Sequence, residues 1–321
     1  MERIATPTND QISELVESIL NEKVKSVKPI KPGVRGKVFQ ISAGPRDYIL
    51  KTSQQNFMLE REFLKLLSSN GIPVARMIAT DADLETSRFN FSLMEKIDGE
   101  NLYETPKKQW SKVLKQVGSK LKLIHAIPAK GYGRLNEQKL EEKGILEGKE
   151  ASWTDYLKWY VFDDLAALRR KVEAQKTSGF KNSKLTKKQN AGLIEISGMS
   201  SKIEAMIIAG FQNFSFEPKF IYRDLHFDHI FVKGGELVGL IDFADPTIGD
   251  PLFDIGYFSV MPNGEYYPYL IEGWKGQFNE DRFHLYRLLI SVEKLHTRYV
   301  EHDYLDKYPE IIDHALEELQ R

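Results

Sequence analysis

Apolar positions recur at helical spacing in several long stretches of the chain and alternate in a few short ones. Across 8–25, Ile12, Leu15, Val16 and Ile19 make one stripe behind the capping residues Thr8, Asn9 and Asp10, which predicts an amphipathic helix ended by Pro29 and Pro32. Two short β-like runs follow, 38–41 and 48–51, with Gly44-Pro45-Arg46-Asp47 as their turn. A helix is predicted over 54–69 with Phe57, Phe63, Leu64 and Leu67 inward, broken by Gly71-Ile72-Pro73, and 89–94 reads as another strand.

After Gly99 the pattern becomes mainly helical. Over 107–125 Trp110, Val113, Leu114, Val117, Leu121 and Ile124 share one face. Helical patterns also cover about 152–174, 188–209, 279–300 and 308–320, and 218–243 is the β-rich interruption, turning at Gly234-Gly235. The polar segment 176–190 reads as a solvated loop. The chain thus divides near residue 97 into 1–97, rich in strands, and 98–321, rich in helices: an α+β arrangement of two lobes.

Composition narrows the function. With 321 residues there is length for about two domains. Lys plus Arg is 45 against 46 for Asp plus Glu, a net charge of -1, so no nucleic-acid partner is expected. The absence of cysteine excludes disulfides, thiolate metal sites and a cysteine nucleophile. The first residues lack an apolar signal core, and the longest apolar runs fall well short of the roughly 18 residues of a membrane span, so a cytoplasmic protein with no membrane partner is expected.

The chemistry concentrates in 220–245. Phosphoryl transfer needs one carboxylate to take or orient a hydroxyl proton, and a second carboxylate plus a further ligand to hold Mg²⁺ against nucleotide phosphates. Asp224 follows an apolar strand, His229 lies five residues on where the chain enters the next strand, and Asp242 closes the returning strand. A hairpin would bring Asp242 back beside His229.

This stretch, with Ile241-Asp242-Phe243 and the following Gly249-Asp250-Pro251-Leu252-Phe253-Asp254, resembles the catalytic segment of the aminoglycoside phosphotransferase family. The resemblance implies a two-lobed protein-kinase-like fold, with a small β-rich N-lobe and a larger, mainly helical C-lobe. It implies Asp224 as the catalytic base and His229 and Asp242 as metal ligands. The family's usual asparagine is His229 here, as in the branches acting on the 2″ hydroxyl of aminoglycosides and on macrolides. Asp250 and Asp254 are expected to brace the loop and the next helix start. His125, in Gly118–Ala126, is expected to be a core residue.

In that architecture a strand lysine reaches the phosphates and a helix glutamate orients it. Lys51 closes an apolar strand, and Glu60 and Glu62 are both candidates for its partner. Neighbours on a helix point about 100° apart, so only one can face Lys51, and the resemblance selects Glu62. The phosphate loop is expected at 31–37 with Gly33 and Gly36, where Arg35 and Lys37 either add charge near the phosphates or are solvated. The connector at Glu95 and Ile97 is expected to meet the base through its backbone, over an apolar floor of Phe231 and Ile241.

The resemblance therefore implies a small-molecule kinase using Mg²⁺ and ATP or GTP, with an aminoglycoside-like antibiotic as acceptor. The alternatives are a metabolite kinase with an amino alcohol, sugar or macrolide acceptor, and a non-catalytic nucleotide-binding protein. Aromatic and acidic residues of the second lobe (Trp153, Asp155, Tyr156, Trp159, Tyr160, Asp163 and Asp164) would suit a cationic, hydroxylated acceptor, or else form an amphipathic helix with a solvated acidic face. Asp228 and Asp245 are candidates for contacting it.

Overall fold

The computed structural model describes residues 7–30, 36–84, 87–177, 186–212, 214–297 and 306–321. Its elements run α1 (Asn9–Leu20), β1 (Val24–Pro29), β2 (Gly36–Ala43), β3 (Arg46–Ser53), α2 (Met58–Ser69), β4 (Met77–Thr80), β5 (Asn90–Glu95), β6 (Glu100–Asn101), α3 (Trp110–Ile124), β7 (Tyr132–Leu135) and α4 (Glu137–Lys143). There follow β8 (Gly148–Glu150), α5 (Trp153–Thr177), α6 (Lys187–Gln212), β9 (Lys219–Ile221), β10 (Ile230–Lys233), β11 (Glu236–Leu240), β12 (Thr247–Gly249), α7 (Leu252–Val260), α8 (Tyr267–Trp274), α9 (Glu280–Thr297) and α10 (Lys307–Glu318).

The chain packs as two compact units, one of 1–113, 140–144 and 228–246, the other of 114–139, 145–227 and 247–321. A single cut at residue 97 therefore does not reproduce the packing, because the 228–246 hairpin belongs with the N-terminal strands.

In the first unit, β1-β2-β3-β5-β4 form an antiparallel sheet. Alternation along β2 and β3 buries Phe39, Ile41, Tyr48 and Leu50 on one face, where α1 adds Ile12 and Val16. The α1 start is the expected cap: Thr8 and Gln11 satisfy each other's backbone amides, worth about 1 kcal/mol. The helix stops at Leu20, short of the predicted 25, because Asn21 turns left-handed (φ 54°) and Glu17 takes the Val24 amide, starting β1. A second sheet, β11-β10-β6, is the predicted hairpin plus a short partner, turning at Gly234 and Gly235 with φ of 60° and 77°. Leu240 donates to the Pro73 carbonyl at 2.8 Å, which ties the hairpin to the chain leaving α2.

In the second unit the sheet β8-β7-β12-β9 accompanies α5 to α10. The sequence pattern misses α7 because nearly every residue in it is buried, so no polar face marks its period. The predicted loop at 176–190 is partly helix. Lys176 and Thr177 end α5, and α6 begins at Lys187 behind a reciprocal pair between Thr186 and Gln189. No helix among the described residues is long and apolar enough to cross a membrane.

Candidate active site

Lys51 lies on β3 opposite Ser92 of β5 and Val38 of β2. Its Nζ donates to Glu60 Oε1 at 2.7 Å and stands 3.9 Å from Asp242 Oδ1. Burial of this lysine works against its charge, but Glu60 and then Asp242 outweigh it, so its pKa is raised above the ordinary value. The ammonium is held charged and aimed.

Glu60, not Glu62, is the partner, which corrects the assignment drawn from the resemblance. Glu60 is 3% exposed and in phase with the buried Phe63, Leu64 and Leu67 of α2, three, four and seven positions on. Glu62 lies off that stripe and pairs with Arg61 and Lys65. A carboxylate in register with an apolar stripe requires a buried cation, and that signal was available in the sequence. The same helix carries Phe63 edge-on to Phe243, with ring centroids 5.9 Å apart, so α2 is anchored to the residue after Asp242.

The β10–β11 hairpin pairs Ile230 with Leu240, and Ile241 donates to the His229 carbonyl at 3.1 Å. Asp242 then turns into the left-handed region (φ 64°), a conformation costing roughly 1–3 kcal/mol outside glycine and tolerated best by Asp and Asn. His229 Nε2 lies 3.6 Å from Asp242 Oδ2. A hard carboxylate oxygen and a buried imidazole nitrogen on adjacent strand ends form a donor pair that fits a divalent cation.

In the second unit, Asp224 follows β9 through Tyr222 and Arg223. Arg223 also has a positive φ, 71°. Asp254, fully buried at the start of α7, accepts from the Tyr222 amide at 2.8 Å and the Arg223 amide at 2.7 Å, fixing this turn. His125 Nε2 meets Asp254 at 2.8 Å while its Nδ1 accepts from Trp274 Nε1 at 2.7 Å. Those two bonds suit the neutral tautomer protonated on Nε2, so His125 is the core residue expected. Asp224 Oδ1 accepts from the Tyr257 hydroxyl, whose oxygen in turn accepts from Lys294 Nζ at 2.6 Å. No sequence signal singled out Tyr257 or Lys294.

A family model described as a phosphotransferase enzyme family matches residues 26–286. The chain belongs to this phosphotransferase family. No curated protein matches the sequence. Among solved structures, a thermostable mutant of aminoglycoside phosphotransferase APH(4)-Ia, in a ternary complex with AMP-PNP and hygromycin B, is similar with a TM-score of 0.70 and 14% identity, over 96% of this chain and 98% of that one. Spectinomycin phosphotransferase APH(9)-Ia, in complex with ADP and spectinomycin, gives 0.63 and 13%, over 96% and 94%. ADP-bound aminoglycoside phosphotransferase APH(2″)-Ib gives 0.59 and 15%, over 96% and 97%. At these identities the likeness is one of fold: the kinase-like α+β fold, strand-rich toward the N-terminus and helical toward the C-terminus.

Within this phosphotransferase the remaining expected site residues fall as follows. Gly33 and Arg35 lie outside the described residues. Gly36 opens β2, where a Cβ would stand 2.0 Å from the Thr52 carbonyl oxygen, so glycine is required there by strand approach. Glu95 spends its amide on the Arg76 carbonyl and its carboxylate on Arg46 and Arg76, so neither is on offer to a base. Ile97 is half-buried against Gly239, whose missing side chain makes the room, and Gly239 sits opposite Phe231. Ile241 and Phe231 are half-buried too. Asp228 is exposed, with its carbonyl accepting from Asn101 at 2.7 Å, and Asp245 is half-buried.

The expected acceptor wall is corrected in part. Trp153 and Tyr156 are buried and stacked, with centroids 4.9 Å apart, and Trp153 Nε1 donates to Tyr286 at 2.8 Å. Tyr286 donates to Asp250, which also accepts from the Leu252 amide and pairs with Arg282. Burial raises the Asp250 pKa and Arg282 offsets part of that. These groups are core, and Asp250 and Asp254 brace the structure as expected. Asp155 pairs with Ser152 and Lys158 at the start of α5. The side chains of Trp159, Tyr160 and Asp164 lie outside the described residues.

Proposed function

We propose that this phosphotransferase is a small-molecule kinase moving the γ-phosphate of ATP or GTP to a hydroxyl of an aminoglycoside-like antibiotic. The Lys51–Glu60 pair, with Asp242 beside the same ammonium, carries this reading. A retained buried pair of this kind argues against a non-catalytic relative. The nucleotides and aminoglycosides bound by the similar structures support the choice of substrates.

In this mechanism Lys51 holds the nucleotide phosphates, and Glu60 keeps the lysine charged and in place. Gly33 and Gly36 cover the phosphates, while Ile97, Phe231 and Ile241 support the base. His229 and Asp242 hold Mg²⁺, which when bound supplies positive charge to the phosphate oxygens. Asp224 accepts a hydrogen bond from the acceptor hydroxyl and takes its proton late. The new O–P bond forms to the γ-phosphorus as the bond to the bridging oxygen breaks, and the electron pair leaves with the nucleoside diphosphate. Positioning and electrostatics supply most of the rate. Asp228 and Asp245 contact the cationic acceptor.

The test is a panel of aminoglycosides, macrolides, amino alcohols and sugars, run with ATP and GTP and read by mass spectrometry of the acceptor. Phosphorylated aminoglycoside is expected. Transfer confined to another class would reassign the acceptor, and absence of nucleotide binding would remove the kinase reading. Asp224→Ala should lower turnover by orders of magnitude with nucleotide affinity retained; near-normal turnover would displace Asp224 from its role.

A further inference from the structure

Tyr257 stands on α7, 33 residues from Asp224, and Lys294 on α9, 37 residues further on, both inside the second unit. Tyr257 is 4% exposed and Lys294 7%. A buried ammonium is costly unless paired, and this one has a carboxylate beside it and donates to a phenol. Lys294 Nζ donates to Tyr257 Oη at 2.6 Å, lies 4.5 Å from the centre of the same ring, and has Glu293 at 3.6 Å. The phenol oxygen accepts from the lysine and directs its own proton at Asp224 Oδ1.

We infer that Tyr257 and Lys294 are positioning residues for Asp224: the phenol fixes the rotation of the carboxylate, and the lysine fixes the phenol. The inference rests on Asp224 being the base that receives the acceptor proton. A carboxylate on a turn rotates readily about its Cβ–Cγ bond, and proton transfer needs one lone pair held toward the hydroxyl. A hydroxyl donor on Oδ1 restricts that rotation. Lys294 acts on it through Tyr257, so its contribution requires the phenol oxygen.

Burial, and next the Asp224 charge, push the Tyr257 pKa well above the ordinary 10.0, so the phenol remains a donor throughout the working range. A hydrogen bond to a charged group of this kind corresponds to about a 10- to 100-fold effect on the step it serves.

Tyr257→Phe keeps the ring and removes only the hydroxyl. Its kcat is expected to fall about 10- to 100-fold, with KM for acceptor and nucleotide within about threefold and the folded fraction unchanged by circular dichroism. Lys294→Met should lower kcat less. The double variant Tyr257→Phe/Lys294→Met should be no slower than Tyr257→Phe alone, since the lysine acts through the hydroxyl. A Tyr257→Phe kcat within twofold of the parent, a loss confined to KM, or losses that multiply in the double variant would each overturn the inference. Should Lys294→Met fail to fold, Tyr257→Phe decides by its split between kcat and KM. The Asp224 reading is judged separately: if Asp224→Ala turns over normally that reading fails, whereas a dead Asp224→Ala beside an unimpaired Tyr257→Phe sinks only the positioning role.

Discussion

Lys51 on β3 and Glu60 on α2 form a 2.7 Å ion pair in which the glutamate is 3% exposed and the lysine 20%. The glutamate occupies an apolar helix position, so its charge is tolerated there only because the lysine meets it. Glu60→Gln should cost about 1–3 kcal/mol of stability and lower kcat/KM for nucleotide about 10- to 100-fold. Glu62→Gln should leave kcat/KM within twofold and stability within about 0.5 kcal/mol. Urea unfolding and steady-state kinetics on the two variants check the assignment, and equal losses would contradict it.

Asp242 turns with φ 64°, a conformation that asparagine tolerates as well as aspartate does. Asp242→Asn therefore changes charge with little added backbone strain. Its affinity for Mn²⁺, titrated by electron paramagnetic resonance in the presence of ADP, should fall at least tenfold, and chelation with EDTA should abolish transfer by the parent. Unchanged Mn²⁺ affinity would exclude Asp242 as a ligand.

Tyr257 and Tyr286 have phenols raised well above 10.0, first by burial and then by the Asp224 and Asp250 charges respectively. A raised folded pKa means that the folded state holds the proton more tightly than the unfolded chain. The stability these phenols contribute is complete below the unfolded value near 10 and is lost as pH rises above it. Absorbance titration at about 295 nm should give superimposable native curves for the parent and Tyr257→Phe through the ordinary tyrosine range around 10. Loss of one titrating tyrosine in that range would contradict the burial.

Trp153 is 3% exposed, and the absent Cβ of Gly249 leaves room for its ring, 2.4 Å from where that atom would be. Trp153→Ala should cost about 3–5 kcal/mol in chemical denaturation. The acceptor KM of the folded fraction should stay within twofold. A selective rise in KM with stability intact would return Trp153 to the acceptor wall.

The amphipathic elements were legible because one face of each is polar: α1, α2, α3 and the alternating β2 and β3 follow the apolar period read from the chain. Where burial is nearly complete, as along α7, the period vanishes and the helix goes unseen. Short strands such as β7 and β12 carry too few residues to show alternation.

The primary structure alone determined the family, the pairing of His229 with Asp242 across one hairpin and the strand lysine, because fixed local spacings survive translation into β geometry. It also held the clue to Glu60, a charge in step with Phe63, Leu64 and Leu67. Only the tertiary structure decided which acid meets Lys51, that Trp153 and Tyr156 are core, and that Tyr257 and Lys294 stand behind Asp224. Lys51 reaches Glu60 nine residues on and Asp224 meets Tyr257 thirty-three residues on, and packing between elements, not local period, selects such partners.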